Sequence, residues 1–143
     1  MSVTTVPHLN FRGDARAALE FYRAASGGEL VAMTYADAGG APDVDPAEAD
    51  LVIWGQVQAP GGFHVMAFDV PAARPFDRGD ASFFVSLRGQ GEEEITRLWE
   101  GLSDGATVVA PLAPSQWSPL YGMLTDRFGI TWVLDVAVTY AAP

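Results

Sequence analysis

The sequence contains no cysteine and no lysine. The first absence removes disulfides, zinc–thiolate sites, iron–sulfur clusters and thiol chemistry. The second leaves eight arginines as the whole basic complement against 18 acidic residues, a formal net charge of −10. Nucleic acid is held through phosphate neutralisation by Lys and Arg, and these arginines are scattered singly with no basic stripe. Neither nucleic acid nor an anionic membrane surface is expected as a partner. No apolar run nears the roughly 18 residues that a membrane span needs. The opening Met1-Ser2-Val3-Thr4-Thr5-Val6-Pro7-His8 has neither the basic nor the apolar region of an export signal. A cytoplasmic location is therefore expected. Histidine is scarce as well, with two residues, His8 and His64, so any metal-site reading is sharply testable.

What is present is a globular composition: 143 residues, 49% hydrophobic and 18% charged. That length suits one domain with a core of its own. Val3 to Phe11 alternates as a strand, with Leu9 and Phe11 turned toward helices and His8 and Asn10 away from them. Arg12-Gly13 breaks it, and Asp14 stands where an N-cap belongs. Ala15, Ala18, Leu19 and Tyr22 then recur at the spacing of one helix face, until Gly27-Gly28 ends the helix. Glu29 to Tyr35 is a strand, Ala36 to Ala49 a loop, and Asp50 to Gln58 and Phe63 to Val70 a hairpin around Pro60-Gly61-Gly62. Pro71 to Asp80 has the composition of a linker.

The order then repeats. Ser82 to Leu87 is a strand, Arg88-Gly89 a break, and Glu92 to Leu102 a helix with acids at its positive end. Ala106 to Ala110 is a short strand and Pro111 to Pro119 a loop. Leu120 to Thr125 and Thr131 to Val136 form a hairpin around Asp126-Arg127-Phe128-Gly129. A constant shift lays Phe11-Arg12-Gly13 on Leu87-Arg88-Gly89, Leu19 on Ile95 and Tyr22 on Leu98. The expected fold is α+β. Two tandem βαβββ modules, about 3–70 and 81–136 with linker 71–80, form a curved mixed sheet around a cleft, helices outside.

The segment from Pro7 to Ala15, with Ala18-Leu19-Glu20-Phe21-Tyr22 and Gly27-Gly28, resembles the opening of the PhnB-like branch of the vicinal-oxygen-chelate superfamily. This is the glyoxalase, bleomycin-resistance and dioxygenase superfamily. Trp117, Tyr121-Gly122-Met123 and the run from Asp126 to Trp132 resemble the ending of the same branch. The resemblance spans roughly residues 3 to 136. It implies the paired βαβββ fold, a homodimer, a cleft within each sheet, and in the superfamily's enzymes a divalent ion held by His, Glu or Gln from both modules. Members of this branch often carry a ubiquinone-pathway methyltransferase label. The sequence gives that reading no support, because Gly27-Gly28 follows a helix instead of joining a strand to one, as a nucleotide cofactor would require.

A chelate site needs three or four converging ligands. Counted against the family, the first ligand position falls on Pro7 and the last on Val133. The remaining positions fall on His64 or Met66 and on Ser82 or Phe83. Only His8 and His64 survive as a pair, with Asp69, Asp135 or Gln56 as the available third. No metal or other cofactor is therefore expected; a divalent metal, if bound, would use His8 and His64. No nucleophile motif is present.

Aromatic residues carry more information. Trp54, Phe63, Phe84, Trp117 and Tyr121 fall on strands or a loop expected to line the cleft, and Trp117 sits in a Pro-rich loop where core packing is unnatural. The expected ligand pocket is His8, Asn10, Trp54, His64, Met66, Phe84, Trp117 and Tyr121. The expected function is to bind a small, largely apolar or aromatic organic molecule in the cleft without the usual metal. The alternatives are a metal-dependent lyase, isomerase or dioxygenase using His8 and His64, and a non-catalytic interaction module acting through a dimer surface.

Overall fold

The computed structural model describes residues 2–40 and 43–138, so Ala41 and Pro42 of the expected first loop lie outside it. The chain divides into two compact units, residues 1–79 and 80–143. Unit one runs β1 (His8–Phe11), α1 (Ala15–Ser26), β2 (Glu29–Thr34), a short 3-10 turn (Pro46–Glu48), β3 (Val52–Gln58) and β4 (His64–Asp69). Unit two runs β5 (Val85–Gly89), α2 (Glu92–Leu102), β6 (Thr107–Ala113), β7 (Tyr121–Thr125) and β8 (Thr131–Val136). Each is a βαβββ module with a four-stranded mixed sheet, ordered β1-β4-β3-β2 and β5-β8-β7-β6. The outer pair β1–β4, like β5–β8, is parallel and the remaining pairs are antiparallel. No described helix is long and apolar enough to cross a membrane.

In unit one the helix stripe Ala15, Ala18, Leu19 and Tyr22 is buried. It packs on the face that carries Leu9, Phe11, Val57, Val65 and Ala67, all buried. Gly55 of β3 lets the helix approach: a Cβ there would stand 2.5 Å from Leu19 Cδ1. Gly122 of β7 does the same in unit two, where a Cβ would meet Trp99 Cζ3 at 2.8 Å. There Ile95, Leu102, Trp132 and Leu134 form the buried layer.

Asp14 is not the cap that its position predicts, since its side chain makes no capping hydrogen bond. Asp69, on the neighbouring strand β4, caps the helix instead. Its Oδ1 accepts from the backbone N–H of Gly13 at 2.7 Å and of Ala15 at 3.0 Å. Its Oδ2 accepts from Val52 N–H at 3.0 Å. A buried carboxylate needs such partners. The Tyr35 hydroxyl donates to the Asp69 backbone oxygen at 2.7 Å, and burial raises the Tyr35 phenol above its ordinary value, with Arg74 nearby opposing the rise.

Several element boundaries differ from the sequence expectation, among them the start of β5, at Val85 and not at Ser82. The first strand starts at His8, after Pro7, which has no N–H to give a ladder. The break expected at Arg88-Gly89 does not occur: β5 runs through both, paired with Asp135 and Val136. Strand β6 continues through Pro111 to Ala113 with register shifts. It is an edge strand, where a proline costs no ladder bond. Residues 71–79 pack on unit one: Arg12 donates to the backbone oxygens of Pro71 and Arg74, Arg74 pairs with Asp43 at 2.6 Å, and Arg78 lies over the Phe11 ring.

Candidate functional site

A strand alternates its side chains, so the sheet surface turned away from α1 is fixed once Leu9 and Phe11 are buried. On β1 that surface carries His8 and Asn10, both exposed. On β4 it carries His64, Met66 and Phe68, each half-buried between buried Val65, Ala67 and Asp69. Trp54 and Gln56 face the same way from β3, and Val31 and Met33 from edge strand β2. The register sets these out in rows. His8 stands opposite Met66, Met66 opposite Gln56, and Gln56 opposite Val31. Asn10 stands opposite Phe68, Met33 opposite Trp54, and His64 opposite Gln58.

Five of the expected pocket residues, His8, Asn10, Trp54, His64 and Met66, therefore share one open face in unit one. Each polar side chain among them makes a side-chain contact. His8 Nδ1–H donates to Asn10 Oδ1 at 2.9 Å, and His64 Nε2–H donates to Gln56 Oε1 at 2.9 Å. The Trp54 indole N–H points to Met66 Sδ at 3.4 Å, and the His8 ring meets Phe68 edge-on at 5.2 Å. The face also exposes apolar groups: Val31 is 51% exposed and Met33 43%. At one end of the face Val31, Gln56, Gln58 and Glu29 border a depression of about 450 Å³.

This donor set does not fit a chelated ion. The two imidazoles stand on neighbouring strands, but no third strong ligand joins them. Asp69 lies on the helix side of the sheet with both oxygens occupied by backbone N–H groups. Gln56 has its carbonyl oxygen turned to the His64 N–H. Among the described residues no three His, Cys, Asp or Glu side chains come together as ligands.

In unit two the corresponding face carries Ser86 and Arg88 from β5, Val133 and Asp135 from β8, and Tyr121 and Met123 from β7. Trp117 meets Tyr121 edge-on at 5.1 Å and 76°, and is 54% exposed. Its loop is tied down on both sides. Ser115 Oγ accepts from the backbone N–H of Trp117 at 3.4 Å and of Ser118 at 3.1 Å. The buried Ser118 hydroxyl reaches the backbone oxygens of Leu120 at 2.7 Å and Val136 at 2.9 Å. Trp117, Gln116 and Val138 border a depression of about 440 Å³. Phe84 is exposed just before β5, not within a strand, and Phe63 is buried, so it packs the core of unit one. Trp132 is buried toward the helix, its indole N–H donating to Asp126 Oδ2 at 2.8 Å.

Sequence reasoning missed four residues of these faces. Phe68 continues the alternation of His64 and Met66 and could have been found from it. Val31 and Met33 needed the knowledge that β2 is an edge strand. Arg88 was hidden because Arg-Gly reads as a strand break, while its partner, Asp135, lies 47 residues away.

Comparison with known proteins places this architecture. The profile of the Glyoxalase/Bleomycin resistance protein/Dioxygenase superfamily matches residues 5–134. A solved structure from Pseudomonas aeruginosa is 32% identical, covers 94% of this chain and 98% of its own, and superposes with a TM-score of 0.81. The structure of a PhnB protein from Bacillus cereus is 22% identical, covers 94% of this chain and 100% of its own, and has a TM-score of 0.73. Protein YjdN of Escherichia coli is 22% identical over 139 residues, 91% of this chain and 92% of that protein.

Proposed function

Because the chain belongs to the Glyoxalase/Bleomycin resistance protein/Dioxygenase superfamily, we propose that it is a PhnB-like member that holds a small, largely apolar or aromatic organic molecule against its open sheet faces, without a divalent ion. The observation that carries this reading is the chemistry of the unit-one face. Trp54, Met66 and Phe68 form its centre, with His8 bonded to Asn10 and His64 bonded to Gln56 beside them. A ligand laid over these three side chains covers apolar surface, which favours binding. Covering Val31 and Met33 contributes roughly 1 kcal/mol each, from about 25 cal/mol per Å² of apolar area. The rigid aromatic groups need little ordering on binding.

The test is a thermal-shift screen of the chelator-treated full chain against metabolite and antibiotic sets, repeated with added zinc, manganese or iron(II). A ligand that binds the folded state must raise its stability. Aromatic compounds should raise Tm equally with and without metal, and Trp54→Ala should weaken the effect. Compounds that act only after metal is added would overturn the reading. We also place the protein in the cytoplasm as a homodimer, which predicts a solution mass near twice the 15.2 kDa of the chain; light scattering that gives the single-chain mass would contradict the dimer.

A further inference from the structure

Of the eight arginines in the chain, seven sit on helices, loops or turns; Arg88 alone lies on a strand. It projects from the open face of the unit-two sheet, directly across from Asp135, and Asp135 stands across from Tyr121. Trp117 packs edge-on to Tyr121. Arg88, Asp135, Tyr121 and Trp117 thus form one continuous row, cation at one end and exposed indole at the other. The Arg88–Asp135 contact uses a single guanidinium nitrogen, Nε to Oδ1 at 3.1 Å. Asp135 is nearly buried, its side chain 11% exposed, whereas the Arg88 side chain is 51% exposed. An arginine has five N–H donors in a planar fork. The Nε contact fixes the plane of that fork, and its terminal N–H groups meet no partner among the described residues.

We infer that Arg88 is the anion anchor of the unit-two face, so that the ligand class taken there is an aromatic carboxylate whose ring lies along Tyr121 and Trp117 and whose carboxylate meets the Arg88 terminal nitrogens. This inference rests on the small-molecule reading above and sharpens it. Planar fork-to-carboxylate pairing is the geometry at which arginine is strongest. Asp135 is a positioning residue: it presents the fork and touches no ligand. The overall charge of −10 repels anions at long range. An anionic ligand therefore needs a local cation, and this is the one that the sheets provide. The Trp117 loop, held by Ser115 and Ser118, supplies the ring contact already ordered.

The test compares naphthoate with its neutral isostere naphthamide on the full chain, by calorimetric titration and by the nitrogen-15 resonance of Arg88 Nε. Naphthoate should bind at least about tenfold tighter, the scale of one charge-assisted hydrogen bond, and should shift the Arg88 resonance. Arg88→Gln should abolish the preference, bringing naphthoate binding down to the level of naphthamide. Because that variant strands the nearly buried Asp135, the double variant Arg88→Gln/Asp135→Asn is measured beside it, with the same loss expected. Arg88→Lys, which keeps the charge and loses the fork, should retain only part of the preference. A preference that survives both Gln variants overturns the anchor. Equal binding of the two probes to the wild type overturns the anchor and leaves the pocket reading standing. If neither probe binds, and no neutral aromatic does, the pocket reading fails and the anchor with it.

Discussion

The Asp69 carboxylate accepts from Gly13, Ala15 and Val52 and so joins the start of α1, the start of β3 and the end of β4 at one buried point. Asp69→Asn replaces one acceptor oxygen by a donor facing an N–H. It should destabilise the protein by about 1.5–3 kcal/mol, the range for hydrogen bonds to a charged group, as read by urea unfolding; an unchanged midpoint would contradict the capping role. Tyr35 beside it gives a pH dependence. Its folded pKa is raised above the ordinary 10.0 by burial, so the neutral phenol contributes stability that is complete below the unfolded pKa. That contribution is lost as pH rises through the folded value. Alkaline titration should show Tyr35 ionising later than free tyrosine, and Tyr35→Phe should remove this alkaline loss of stability. Neither role was legible in the sequence. Asp69 reads there as a candidate ligand and Asp14 as the cap, because a cap supplied from more than 50 residues away leaves no local trace.

At the scale of elements, the two glycines in the third strands decide how closely the helices seat. Gly55→Ala puts a methyl against Leu19 and should cost about 1–3 kcal/mol by overpacking. The pair Gly55→Ala/Leu19→Val should recover part of that, measured as unfolding midpoints; equal losses in single and double variants would contradict direct contact. The helices were legible from their spacing: Ala15, Ala18, Leu19 and Tyr22 face the core as their periodicity predicts, and Glu92–Leu102 matches in extent. The alternation of β1 also predicts the observed burial of Leu9 and Phe11. Strand limits were less legible. Arg88-Gly89 and Pro111 are local break signals that tertiary pairing overrides, the first by the parallel partner β8 and the second by its place on an edge.

At the scale of the whole molecule, the sequence repeat corresponds to two βαβββ units, each with one face sealed by a helix and one left open. The open faces are rich in rings and thioethers and poor in groups able to chelate an ion. The missing lysines and the net charge of −10 point the same way, toward a small organic ligand over a polyanion. The central claim is metal-independent binding on the open face. It is tested most directly by following the methyl resonances of Met33, Met66 and Val31 in chelator-treated protein as naphthol, an uncharged aromatic, is added. The account predicts saturable shifts at these three methyls, with the buried Leu19 and Val65 methyls unmoved. It is contradicted if the three stay fixed at saturating naphthol, or move only once a divalent metal is supplied.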